Sequence, residues 1–92
     1  MDSKIHELRC DFELFPDCVE GRKRFDIRKN DRGFRVGDVL KMLQTNRHDR
    51  DSYTGHHAFF SVDYIIQDSN YGLKDGYCVM GITMLSNNGY TY

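Results

Sequence analysis

Residues 57–66 read HAFFSVDYII, with Phe60, Val62, Tyr64 and Ile66 on one side of a two-residue period and His57, Phe59, Ser61 and Asp63 on the other. Successive side chains of a β-strand point to opposite faces, so this alternation predicts a long strand whose first set faces a core. A strand of that length needs neighbours, which commits the chain to a sheet. Candidate neighbours share the period: RFDIRK at 24–29, Val39 to Thr45, Tyr77 to Met84 and, more loosely, Ile5 to Arg9. Turn chemistry separates them at Asn30-Asp31-Arg32-Gly33 and across 70–76, and NRHDRDSYTGH (46–56) reads as a polar excursion. One helix is expected from Asp11, as N-cap, to about Glu20, with Gly21 as its stop and Phe12, Phe15 and Val19 as its buried stripe. Pro16 is tolerable only near a first turn, so that helix is either bent or starts late. Several strands and one early helix give a small α+β domain, its sheet curled into a partly closed barrel.

The chain has 92 residues, which is one domain, expected to span 1–86 with a frayed tail over 87–92. Cys10, Cys18 and Cys78 match no zinc spacing and no Cys-x-x-Cys pair, and read as small buried apolar residues in a reducing compartment. MDSKIHELRC is charged where a signal peptide would be apolar, and no run approaches the ~18 residues of a membrane span. The expectation is a soluble, cytoplasmic protein without a membrane partner. His56 and His57 are adjacent and point apart on a strand, while His6 and His48 stand alone, so no metal and no cofactor are expected. Arg47, Asp49, Arg50 and Asp51 read as a solvated loop that can also grip a ligand at a cleft rim. Tyr53 and Tyr64 read as core and Phe59 as a ligand-facing ring.

Net charge is −1, but its distribution is uneven. Residues 1–20 carry −4, residues 21–38 carry +4 and the remainder carries −1. Such asymmetry steers charged ligands even when the average is near zero. The basic segment is GRKRFDIRKNDRGFRVGD, with Arg22, Lys23, Arg24, Arg28, Lys29, Arg32 and Arg35 against three aspartates. On a strand, Arg24, Asp26 and Arg28 share a face, and a carboxylate between two guanidiniums orients both while leaving donors free for an outside anion. The alternative is a solvated edge strand whose charges discourage edge-to-edge aggregation.

These residues carry a resemblance. Gly21-Arg22-Lys23-Arg24-Phe25-Asp26-Ile27-Arg28, then Asn30-Asp31-Arg32-Gly33-Phe34 and Val36-Gly37-Asp38, resemble the ASCH domain family, and more narrowly its short bacterial and phage branch DUF3850. His6-Glu7-Leu8, Gly72-Leu73-Lys74 and Gly76-Tyr77-Cys78-Val79-Met80-Gly81 extend the likeness to nearly the whole chain. The hallmark Gly-x-Lys-x-x-Glu-x-Arg is matched at Gly21, Lys23 and Arg28, with Asp26 in place of the glutamate and one methylene shorter. The resemblance implies a PUA-like fold, a small and mostly antiparallel β-barrel with the early helix flanking a cleft beside the hallmark.

Three functions follow as expectations. The first is a module binding RNA, or another single-stranded or modified nucleic acid, through Lys23, Arg24, Asp26, Arg28, Lys29, Arg32 and Arg35. The second comes from the resemblance alone: some ASCH relatives are amidohydrolases of acetylated cytidine and others ribonucleases. That amidohydrolase pattern joins the hallmark lysine, here Lys23 as the catalytic residue, to a threonine and a distant glutamate. Asp26 holds the threonine position, and Glu20 is the last glutamate, so Asp63 or Asp75 would have to serve. The third is a regulatory module whose basic face meets an acidic protein.

Overall fold

The computed structural model describes residues 3–90. Alternating sequence becomes five strands: β1 (Ile5–Cys10), β2 (Phe25–Lys29), β3 (Val39–Asn46), β4 (Asp49–Ile66) and β5 (Tyr77–Asn87). They form one sheet in the order β1-β3-β4-β5-β2, with β1 parallel to β3 and every other pairing antiparallel. The sheet curls into a half-barrel. Its concave side holds Leu8, Leu40, Met42, Phe60, Val62, Met80 and Ile82, plugged by Phe15 from α1 (Phe15–Val19) and by Phe34. Among the described residues no helix is long and apolar enough to cross a membrane.

The helix starts late, as Pro16 demands. It covers Phe15–Val19 with the proline in its first turn, where a missing amide hydrogen is harmless. Asp11 does not cap a helix. Its carbonyl instead accepts from the amides of Leu14 (3.0 Å) and Phe15 (3.1 Å), closing a turn before α1. Gly21 follows the helix with φ +80°, the left-handed conformation that ends it.

The expected polar excursion at 46–56 is mostly strand. β4 begins at Asp49, and only a tight turn after Asn46 separates it from β3. The alternation in β4 also changes phase. Tyr64 and Ile66, expected in the core, lie on the convex face, and Ile65 packs inward. The cause is a bulge: Val62 opposes Ile82 but Tyr64 opposes Gly81, so one extra residue reverses every side chain beyond it. A second irregularity between Leu43 and Thr45 lets both Gln44 and Thr45 be buried.

At the other end of the chain, β5 runs to Asn87, three residues past its expected end. The expected frayed tail makes ordered contacts up to residue 90. Asn88 donates through Nδ2 to the Gly55 carbonyl (2.8 Å), and the Tyr90 ring lies edge-on to Phe15 at 5.0 Å. The rest of that tail, 91–92, lies outside the described residues.

Candidate functional site

β2 keeps its period of two and reverses the usual polarity of the sheet. Asp26 points inward with 6% exposure, while Phe25 (45%) and Ile27 (56%) face solvent. The register with β5 places Asp26 opposite Met80 and Arg28 opposite Cys78, both core residues. This inversion is stable because β2 is an edge strand beside the opening of the half-barrel, where the other edge, β1, offers unused carbonyls. Lys4 gives its carbonyl to Val39 of β3 (2.8 Å), so Glu7 and Arg9, of opposite parity, aim theirs away from β3. Arg28 Nη2 donates to the Arg9 carbonyl (2.5 Å) and Arg32 Nη1 to the Glu7 carbonyl (2.6 Å). Two guanidiniums thus bridge the seam.

Arg28 Nε donates to Asp26 Oδ2, which fixes the orientation of its fork. Lys23 Nζ lies 3.6 Å from the other carboxylate oxygen and donates to the Phe25 carbonyl (2.8 Å). Arg24 departs from the expected trio. It precedes the strand, is exposed, and donates through Nε to the Gly21 carbonyl (2.8 Å). The acid is therefore braced between Lys23 and Arg28, while the Arg24 backbone pairs with Ile82 (3.0 Å) and its side chain turns back toward Gly21.

Lys23 separates two grooves. The larger, about 320 Å³, lies between the end of α1 and strands β4 and β5, with Gly21, Lys23, Arg24, Phe60, Thr83 and Met84 in its wall. The smaller, about 170 Å³, is lined by Arg9, Asp11, Lys23, Asp26, Arg28 and Arg50 among others. The seam adds two further hollows of about 310 and 300 Å³, both lined by Arg28 and Arg32, the second also by Lys29. Arg35 is exposed in the turn before β3, where its amide donates to Asp38 Oδ2 (3.1 Å), and it lines none of these hollows.

Cys18 lines the first groove and Cys10 the second, and the two thiols are hydrogen-bonded. The bond from Cys10, helped by the charge of Lys23, holds the Cys18 thiol below its ordinary range. Cys10, as the donor and in a buried place, is pushed up.

One contributor was not read from the sequence. Arg9 carries both a seam carbonyl and a guanidinium at the groove, paired with Asp51 (3.0 Å). Arg50, read as part of a solvated loop that can also grip a ligand at a cleft rim, is carried by β4 back to Asp11 (2.7 Å), at the rim of the smaller groove. Arg47 likewise pairs with Glu13 (2.7 Å) and covers the Phe12 ring at 4.7 Å. Phe59 is half-buried on the convex face beside His57 (5.7 Å), and Tyr53 is exposed, its hydroxyl 2.8 Å from His57 Nδ1. Asp63 accepts from Ser61 (2.8 Å) and Thr83 (2.5 Å) and, like Asp75, lines neither groove beside Lys23. Among the described residues no three His, Cys, Asp or Glu side chains gather as a metal site.

Over 40 residues the chain is 42% identical to the uncharacterised 12.9 kDa protein in the GpA 3' region of Escherichia phage P2. That match takes in 44% of this chain and only 37% of the phage protein. The domain of unknown function DUF3850 matches residues 5–82, from the start of β1 to the core residue Ile82 of β5, and the chain belongs to that family.

Proposed function

We propose that this chain is an ASCH-type, PUA-like domain of the cytoplasm that binds single-stranded or modified nucleic acid, RNA in the first instance, through the cationic grooves around Lys23. The observation that carries this reading is the placement of Lys23. It stands between two grooves with the hallmark residues Gly21, Asp26 and Arg28 around it, and Arg24, Arg9 and Arg50 at the rims. Asp26 orders Lys23 and Arg28 without consuming their donors, since an ammonium has three hydrogens and a guanidinium five. Ordered cations beside a groove with apolar walls fit a phosphate and a base edge. Lys23 Nζ is held between a carboxylate and a carbonyl. Binding is favoured over the amidohydrolase reading because Asp63 and Asp75, the acids that would have to replace its distant glutamate, line neither groove beside Lys23.

The test is fluorescence anisotropy with a labelled single-stranded RNA of about 12 nucleotides, a length within the site sizes of comparable modules. If about four cations meet phosphates, log affinity falls against log salt with a slope of about −2.8. Lys23→Ala is expected to weaken binding and reduce that slope by about 0.7. A flat salt dependence, or no binding at low salt, overturns the proposal.

A further inference from the structure

The convex face of the sheet carries an apolar patch that only Ile27 shares with the grooves. Phe25 of β2 and Tyr64 of β4 both pair with Gly81 of β5, so one row across three strands reads aromatic, glycine, aromatic. The next row reads Ile27, Val79, Ile66, and the next pairs Lys29 with Tyr77. Phe25, Ile27 and Tyr64 are 45%, 56% and 64% exposed, an arrangement that solubility alone disfavours at a sheet edge.

Neighbouring strands are about 4.8 Å apart, which puts the backbones under the two rings about 10 Å from one another. A flat base between two rings, in contact on each side, needs about 7 Å. Gly81 puts no side chain between them, and a Cβ built there would touch Tyr64 Cβ at 3.5 Å. Cations border the patch. Lys23 Nζ lies 4.8 Å from the Phe25 ring centroid and Lys74 Nζ 5.7 Å from that of Tyr77, with Arg24 and Lys29 at either end of β2. Asp63, the acid beside Tyr64, is held by two hydroxyls.

We infer that this row is a base-stacking platform, and that a single strand held by Lys23 and Arg24 passes over the β2 edge to lay a base between Phe25 and Tyr64. This rests on the nucleic-acid reading above and deepens it, because a platform of exposed rings selects unpaired bases over a duplex. The alternation of ring and gap, rimmed by positive charge, favours a polyanion with flat bases over a protein partner.

The experiment compares the labelled single strand with its duplex on wild type, Phe25→Leu, Tyr64→Leu and Gly81→Val, with Tyr71→Leu, on the exposed 69–71 turn, as control. The two rings are exposed and Gly81 has ordinary backbone angles, so all variants are expected to melt near wild type. Stacking is expected to show as a loss of about 5- to 100-fold for the single strand in each platform variant. The salt slope should stay unchanged, and the duplex should bind more weakly throughout. Platform variants that bind like wild type while Lys23→Ala binds weakly would overturn the platform and leave the groove reading standing. Wild type binding no single strand at low salt would overturn both. Equal affinity for duplex, or a dimer in sedimentation that Phe25→Leu dissolves, would overturn the platform alone.

Discussion

Asp38 and Asp26 are both buried, yet one closes the fold and the other opens it. Asp38, just before β3, accepts from His6 Nε2 (2.8 Å) and from the amides of Lys4 and Arg35 (3.1 Å each). All its partners are fixed to β1 or to its own turn, and Phe34 lies edge-on to His6 at 4.7 Å. Asp26 is held instead by two long cationic side chains, Lys23 and Arg28, whose remaining donors face grooves. A carboxylate satisfied by amides and imidazole has nothing left to offer a ligand. A carboxylate satisfied by cations positions charge for one.

The contrast breaks most visibly at Asp38. Asp38→Ala strands a buried imidazole and two amides, and is expected to cost on the order of 3 kcal/mol in urea unfolding. The folded fraction should bind as wild type. Asp26→Ala should cost less, about 1–2 kcal/mol, because Lys23 and Arg28 side chains are 16% and 24% exposed and can turn to water. Its binding test is sharper. The variant is more cationic, yet affinity for single-stranded RNA should fall several-fold because Arg28 loses its brace; tighter binding would refute the brace.

Acid sharpens the comparison further. Burial would raise the Asp38 carboxyl, but its hydrogen bonds from His6 and the two amides outweigh burial and hold it below its ordinary range. A lowered native pKa means stability present above the unfolded value near 3.9 and lost as pH falls through the native one. Wild type is therefore expected to lose this contribution below about pH 4, and Asp38→Asn to show a shallower acid limb in pH-dependent melts. A limb unchanged by the substitution would assign acid sensitivity elsewhere. The smallest stability effect is at Arg24, which is exposed. Arg24→Ala should leave stability within about 0.5 kcal/mol while still weakening RNA binding, separating an exposed binding cation from Arg28, which both binds and bridges the seam.

Most of the strand pattern was readable because alternation is local. Strand β3, the core half of β4 and the start of β5 fall where their periods put them, and the late helix start is one of the two outcomes Pro16 allowed. The phase change at Tyr64 was not readable, since a bulge is a property of pairing with Gly81 and leaves no period of its own. His6 was invisible for a related reason: an isolated histidine near the start of a chain gains meaning only when Asp38, 32 residues away, meets it. At the site, spacing put Asp26 and Arg28 on one face of a strand, where they pair, and Lys23 was named from the basic segment and the resemblance, not from spacing. Arg24 was grouped with Asp26 and Arg28 too, but its side chain turns back to the Gly21 carbonyl, and Arg9 was left out because another strand brings it in.

What the sequence alone determined was the β character of the chain, the concentration of cations in 21–38 and the alternation that sets Asp26 and Arg28 against Phe25 and Ile27. What only the tertiary structure decided was which side of that alternation faces in. Local periodicity is symmetric between the faces of a strand. The choice was made by the open seam, where free carbonyls of β1 gave Arg28 and Arg32 their partners and left the apolar residues of β2 facing out.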